Sequence, residues 1–315
     1  NERKTFVPKH INEALKPRQR EGANQAPTML DASPVQQIDS QLNPHLTFNN
    51  YLEGSSNKLT RSIGLSISEH PQMTSFNPFF VFGPSGCGKT HLINAMGVET
   101  KRMYPDKRVL YISARLFEVQ YTNAVLRNTI NDFINFYQTI DVLIVDDVQE
   151  WEGKTGTQNT FFHIFNHLFR NGKRIILACD RPPVELKGMN ERLITRFSSG
   201  LIAEMEKPNV QLCADILRRQ IKHDGLNIPE DVIEFIASTA NGSVRELQGV
   251  INSLMAYSVV YNCEIDMQLA HRIIKRSVKV NEEPLTIDEI IESVCQHYNV
   301  TTANVNSRSR KKVSI

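Results

Sequence analysis

No stretch of this 315-residue chain stays apolar long enough to cross a bilayer, and its opening residues lack the pattern of a secretory signal. The expectation is a cytoplasmic protein. Charge of one sign is also missing: 36 Lys and Arg face 34 Asp and Glu, a formal net charge of +2. A chain so balanced has no global polybasic surface, so any nucleic-acid contact has to be local. The five cysteines, Cys87, Cys179, Cys213, Cys263 and Cys295, form no CxxC pair and no metal-like spacing with histidine. That argues against a zinc module or a disulfide framework and fits reduced thiols of a cytosolic protein. Nor is there an internal repeat. What is present is a 40% hydrophobic content, enough for one large core or two smaller ones. Asn1 stands where Met would open a chain, and the sequence stops at Ile315 just after a basic cluster. Both features give the expectation of a fragment.

Residues 1–43 are polar, carry prolines at 8, 17, 27 and 34, and show no apolar periodicity. They read as a disordered linker. Short apolar runs then alternate with helical patterns. The runs at Phe79–Phe82, 108–113, 141–146, 174–179 and 200–203 read as buried strands; helices fit 88–104 and 157–169. This alternation predicts an α/β domain over 44–207, with a parallel sheet covered by helices. After Pro208 strand patterns cease. Helices fit 209–223, 229–240, 243–261 and 266–279, with Pro229 suited to a helix start and Asn241-Gly242 to a break. The prediction is a small all-helical lid over 208–280. Glu282-Glu283-Pro284 interrupts the chain, and Thr286 with Glu289 makes a capping-box pattern that opens a further helix in a segment 281–315.

Gly83-Pro84-Ser85-Gly86-Cys87-Gly88-Lys89-Thr90 fits GxxxxGK[ST] between a predicted strand and a predicted helix. The glycines let backbone N–H groups turn inward around phosphate oxygens, and the helix N-terminus adds its dipole. Lys89 supplies a point charge for the β- and γ-phosphates, and Thr90 a hydroxyl for Mg²⁺. The strand at 142–145 ends in Asp146-Asp147, an acidic pair where a P-loop site needs one. Asp146 is expected in the Mg²⁺ shell, and Asp147 beside the attacking water.

Longer matches narrow the choice. They begin with Asn43-Pro44-His45-Leu46-Thr47-Phe48-Asn49-Asn50-Tyr51, then Gly54-Ser55-Ser56-Asn57 and Asn77-Pro78-Phe79. His91-Leu92, Val145-Asp146-Asp147-Val148-Gln149 and Phe161-Phe162-His163-Ile164-Phe165-Asn166 follow. Asp180-Arg181-Pro182-Pro183, Arg192-Leu193-Ile194-Thr195-Arg196-Phe197 and Val244-Arg245-Glu246-Leu247-Gln248-Gly249 complete the series. In this order, from about Asn43 onward, the chain resembles AAA+ ATPases of the DnaA family of bacterial chromosomal replication initiators.

The resemblance implies roles. Gly83, Gly86, Cys87, Gly88, Lys89, Thr90 and His91, with Asn50 from the adenine-wrapping segment, would hold ATP or ADP with Mg²⁺. Asp180 would sense the γ-phosphate, although the same residue can simply cap a turn. Arg196 would be an arginine finger reaching the nucleotide of the next subunit, Arg192 would support that contact, and Arg245 in the lid would touch phosphate in its own subunit. Planar, permanently charged guanidinium groups suit the spread charge of a γ-phosphate. Arg196 and Arg245 also fit ordinary surface cations. Gly153-Lys154-Thr155-Gly156 departs from the family, which often has two basic residues in this loop to touch single-stranded DNA; only Lys154 remains, and a lone lysine equally suits plain solvent exposure. Thr122 stands where the family often has an apolar residue in its initiator-specific helices. Arg308, Arg310, Lys311 and Lys312 suit phosphate contacts at the truncated start of a duplex-DNA-binding domain, or a solvated tail.

The function implied is a weak ATPase acting as a switch. ATP-bound subunits would assemble as a homo-oligomer on origin DNA, open the duplex and recruit the replicative helicase, with slow hydrolysis as the reset. Acidic phospholipids enter as partners through the resemblance alone. A helicase loader or a regulatory adaptor shares the core motifs, and a nucleotide-gated module without turnover is a third reading. A metabolic kinase would not need Arg192, Arg196 and a lid carrying Arg245.

Overall fold

A computed structural model of the chain describes residues 38–239, 243–277 and Cys295. The chain divides into two compact units, 1–278 and 279–315; of the second only Cys295, a buried helical residue, is described. The first unit holds the sheet and the lid. In chain order its elements are α1 (Lys58–Glu69), β1 (Phe79–Phe82), α2 (Lys89–Met103), β2 (Val109–Ser113), α3 (Ala114–Leu126), α4 (Ile130–Gln138) and β3 (Val142–Asp146). Then come α5 (Thr155–Arg170), β4 (Arg174–Cys179), α6 (Glu191–Phe197), β5 (Leu201–Glu204), α7 (Val210–Asp224), α8 (Glu230–Thr239), α9 (Val244–Tyr261) and α10 (Met267–Ser277). Among the described residues no helix is long and apolar enough to cross a membrane.

All strand pairs are parallel, in the order β2-β3-β4-β1-β5. Side chains of a strand alternate between faces, so a sheet covered on both faces needs apolar residues at both parities. The three central strands meet that need. Phe79, Val81, Val142, Ile144, Ile176 and Ala178 enter one core with α2, whereas Phe80, Leu143, Val145, Ile175 and Leu177 enter the opposite core with α3 to α6. The second core is dense in rings: Phe117 contacts Phe133, Tyr137, Trp151 and Phe161, with centroids 5.0–5.6 Å apart.

The strands lie within a residue of their expected bounds, as do the lid helices over the described residues. α5 begins earlier than expected, at Thr155. Four helices, α1, α3, α4 and α6, fall in stretches where the alternation of apolar runs gave no element. α3 owes its start to Ser113, whose hydroxyl accepts from Leu116 N–H. Of the tail helix expected from Thr286 only Cys295 is described, and it is helical; the Asn241-Gly242 break lies outside the described residues.

The expected linker boundary needs correction. Residues 38–43 are packed, because four of them find partners on the sheet domain. Ile38 packs on one core and Leu42 on the other, Ser40 O accepts from Tyr111 N–H at 2.9 Å, and buried Asn94 brackets Asn43 from both sides. A sequence with sparse apolar residues can still dock when each one lands in a prepared slot. Here Gly97 of α2 provides one: a Cβ there would lie 2.5 Å from Leu42.

The start of β1 is fixed by a buried cation. Arg174, 1% exposed, donates through Nη1 to the carbonyls of Ser75 and Phe76, both at 3.0 Å, and through Nη2 to that of Met73. Burial lowers its pKa to about 10, which leaves it charged at neutral pH. In the lid, Leu217, Ile236, Leu247, Val250, Ile251 and Leu254 form a separate core. Asn209 and Ser243 cap α7 and α9, accepting from Leu212 and Glu246 N–H.

Candidate nucleotide-binding site

β1 lies between β4 and β5, so the loop after it rises from an inner strand at the C-terminal strand ends, where α/β folds place ligands. Its glycines are needed for different reasons. Gly83 has φ +155°, and a Cβ there would run into the Met205 carbonyl oxygen. Gly86 has φ +80°, and its Cβ would sit 2.5 Å from Ser243 Oγ of the lid. Gly88 then leads straight into α2 at Lys89. The Lys89 ammonium, 8% exposed, donates to the carbonyls of Gly83 at 2.7 Å and Pro84 at 3.0 Å. Cys87 is buried under the loop with Sγ 3.9 Å from Lys89 Nζ; burial raises its thiol pKa, which keeps it protonated and unreactive.

Asp146 ends β3 on the α2 face and is 2% exposed. Thr90 Oγ1 donates to its Oδ2 at 2.7 Å, Tyr111 OH donates to the same oxygen at 2.9 Å, and Asp147 N–H donates to Oδ1 at 2.9 Å. Burial, with Asp147 adding to it, pushes the carboxyl above its usual range; the donors pull the other way. Asp147 is exposed in a left-handed turn at φ +57°, and Gln149 Nε2 donates to its Oδ1 at 3.0 Å.

Because β4 separates β3 from β1, Asp180 emerges between Asp146 and the P-loop. Its carboxylate is taken by its neighbour: Arg181 donates through Nε at 2.8 Å and Nη2 at 2.9 Å, and these bonds hold the carboxyl below the usual range. Asp180 N–H donates to Gln149 Oε1 at 3.3 Å. Gln149 therefore links the two acidic turns.

His91 sits on the other flank of α2. Its Nε2 lies 3.1 Å from two acceptors, Thr47 O and Asn50 Oδ1, so Nε2 carries the proton; burial lowers the ring pKa, which keeps the imidazole neutral at pH 7. Asn50 in turn accepts from Thr47 N–H and Oγ1 and donates to His45 O. The lid joins this corner through Arg219, which donates to Asn49 O at 2.6 Å. It also reaches the P-loop: Val244 N–H donates to Gly86 O at 3.0 Å and Arg245 Nη1 to Ser85 Oγ at 3.2 Å.

Arg192 and Arg196 lie apart from these contacts. α6 buries Leu193 and Phe197 and is capped by Asn190, which accepts from Arg192 N–H. Among the described residues neither guanidinium has a hydrogen bond or an ion pair. Lys154 is paired, with Nζ 2.9 Å from Glu118 Oε1; Glu118 also takes Arg115, and the two cations outweigh its burial to hold the carboxyl low. Gly156 packs on Tyr121, whose hydroxyl would be 2.7 Å from an added Cβ. Arg308, Arg310, Lys311 and Lys312 lie outside the described residues.

The quoted motifs contain Ser85, Gln149 and Arg181 without giving them a role, and they pass over Tyr111, Ser243 and Arg219 altogether. For Tyr111 a signal exists. It shares strand parity with the residues that face α2, and β2 pairs with β3 so that Ser113 aligns with Asp146. The donor set fits Mg²⁺, a hard cation that takes one or two protein oxygens and leaves the rest to phosphates and water. Thr90 and Asp146 supply that many. Among the described residues no cluster of three or more His, Cys, Asp or Glu side chains could cage a metal alone.

The family profile described as the bacterial DnaA ATPase domain matches residues 42–204. A chromosomal replication initiator protein DnaA of Bacteroides fragilis is 55% identical over 287 residues, which cover 91% of this chain and 60% of the relative. The chain thus spans about three-fifths of the length of the curated relative it matches. Domain III of the Thermotoga maritima replication initiation protein DnaA superposes with TM-score 0.72 at 34% identity, covering 76% of this chain and 99% of that one. A replication initiator DnaA bound to AMPPCP and single-stranded DNA superposes with TM-score 0.67 at 32% identity, covering 86% of this chain and 79% of that one. With the parallel sheet, the P-loop rising from one of its inner strands and the lid in contact with that loop, these likenesses carry one conclusion: the chain belongs to the bacterial DnaA family of AAA+ proteins.

Proposed function

We propose that this chain is the ATP-switched core of a chromosomal replication initiator. The observation that carries the reading is the meeting of three elements at one point: the P-loop, the Thr90–Asp146 pair and the lid residue Arg245, 3.2 Å from Ser85. ATP binds there with its phosphates in the loop, and the Lys89 ammonium moves from the Gly83 and Pro84 carbonyls to the β- and γ-phosphates. Cys87 and Gly88 contribute backbone N–H groups. Thr90 and Asp146 hold Mg²⁺, which spreads the charge of the phosphate oxygens when bound. Asp147 orients the attacking water. Asp180 gives up part of its grip on Arg181 to read the γ-phosphate. His91 and Asn50 shape the wall for the base, and Arg245 closes the lid on the phosphates.

The arginines of α6 serve the next subunit. Arg192 is exposed and Arg196 half-buried, and with no partner among the described residues their guanidinium groups are free to meet the γ-phosphate of a neighbour. ATP-loaded copies then join head to tail, and contacts of this kind give an open filament when the rotation does not close. The filament engages single-stranded origin DNA, with Lys154 released from Glu118 as one contact, and promotes duplex opening and helicase recruitment. Slow hydrolysis resets the switch. Duplex recognition falls to the C-terminal segment, and contact with acidic phospholipids is a further expectation for the whole protein.

Sedimentation velocity with ATP and with ADP, each with and without single-stranded DNA, tests the reading. Larger species with ATP alone are expected. A monomer in every condition, with nucleotide bound, favours a loader or adaptor instead.

A further inference from the structure

Tyr111 has no part in any phosphate-binding motif, yet it touches the most buried carboxylate of the site. β2 is an edge strand, so its outer N–H groups have no strand to pair with. Tyr111 N–H is nonetheless satisfied, by Ser40 O at 2.9 Å. The bond fixes the main chain from which the ring departs. The ring leans along the strand toward its C-terminal end, on the face shared with Ile144 and α2, and its hydroxyl donates to Asp146 Oδ2 at 2.9 Å. Thr90 Oγ1 donates to that same oxygen. Asp147 N–H takes the other oxygen, so the carboxylate is held at both ends.

We propose that Tyr111 is a positioning residue for the metal shell: its hydroxyl, anchored through the Ser40–Tyr111 backbone bond, sets the orientation in which Asp146 and Thr90 present their oxygens to Mg²⁺. The proposal rests on the nucleotide site assigned above. Three donors on one small carboxylate leave it a single orientation, and a carboxylate so held loses little freedom when a cation arrives. Outer partners of this kind typically change metal affinity by about 10- to 100-fold when removed. Tyr111 is half-buried, and Tyr111→Phe removes only the oxygen while the ring keeps its packing.

The experiment measures ATP affinity of the chain by calorimetry in EDTA and at stepped Mg²⁺ concentrations, for the parent, Tyr111→Phe, Asp146→Asn and the double variant. Nucleotide-free unfolding midpoints are recorded beside them. In Tyr111→Phe the expected result is unchanged ATP affinity in EDTA and a midpoint within a few degrees of the parent. The Mg²⁺ concentration for half-maximal enhancement should rise roughly 10-fold. In the Asp146→Asn background the hydroxyl should no longer matter, because it acts through the carboxylate. Unchanged Mg²⁺ dependence in Tyr111→Phe, with a Mg²⁺-dependent parent, overturns the role of Tyr111 alone. So does a collapse of the midpoint together with ATP affinity in EDTA, which marks the hydroxyl as a folding contact. A parent indifferent to Mg²⁺ overturns the site assignment itself, and this role with it.

Discussion

The corner around Asp146 and the outer face of α6 are built in opposite ways. At the corner each polar group of Thr90, Tyr111 and Asp146 that bears on the carboxylate is paired within the chain, and Asp146 is 2% exposed. On α6 the apolar side is anchored by Leu193 and Phe197, while Arg192 and Arg196 have no partner among the described residues. Desolvating a charge costs several kcal/mol unless partners compensate, so a group held inside must be met on all sides, whereas a group left in water waits without penalty. Under the proposed function, the difference separates what a single chain completes from what it leaves to the next subunit.

The largest test of that contrast is Lys89→Ala. Its ammonium is the buried charge of the P-loop, and its loss should weaken ATP binding by roughly 100-fold or more, about 3 kcal/mol for a charged hydrogen-bonding group. Calorimetric titration reads this directly. Arg196→Ala should do the reverse, with ATP affinity within about 2-fold of the parent, a change well below 1 kcal/mol, and ATP-dependent assembly lost in sedimentation. Should Arg196→Ala also abolish ATP binding, Arg196 serves its own site and the contrast collapses.

Phe161→Ala probes the support beneath α6. Phe161 packs on Trp151 at 4.5 Å and Phe197 at 6.4 Å, and its removal should cost about 3–5 kcal/mol in urea unfolding. Assembly should weaken along with it if the arginines need a rigid base. The smallest effect is expected from Ser113→Ala, which removes the cap of α3 beside Asp146 and should cost about 1 kcal/mol with Mg²⁺ dependence intact.

Much of this arrangement was legible in the sequence because its signals are local. The strand at Phe79–Phe82 and the loop through Thr90 are contiguous, so apolar run, glycines and Lys89 announce one another. Asp146 was found because it ends a run of buried residues. Tyr111 was not: its partner lies 35 residues away, and only the parallel register of β2 on β3 brings them together. The packing of residues 38–43 was hidden for a similar reason. Ile38 and Leu42 are isolated apolar residues in a polar stretch, and their slots are made by distant elements. Arg181 stood beside Asp180 in plain view, yet nothing in the spelling of that turn tells that its guanidinium folds back on the carboxylate.

Gly97 carries a practical lesson for anyone wishing to make the protein hardier. Replacing helical glycines by alanine is a common route to heat resistance, since the unfolded chain then has less freedom to lose. Applied at Gly97, the recipe should fail, because the new methyl would press on Leu42 at 2.5 Å and Ile144 at 2.8 Å and prise the entering segment from the helix. Gly249 in α9 is the opposite case, with nothing within 4 Å of an added Cβ. There the same exchange should raise stability by about 0.4–1 kcal/mol. Two glycines that look alike on the page thus stand as a keyhole and a spare part.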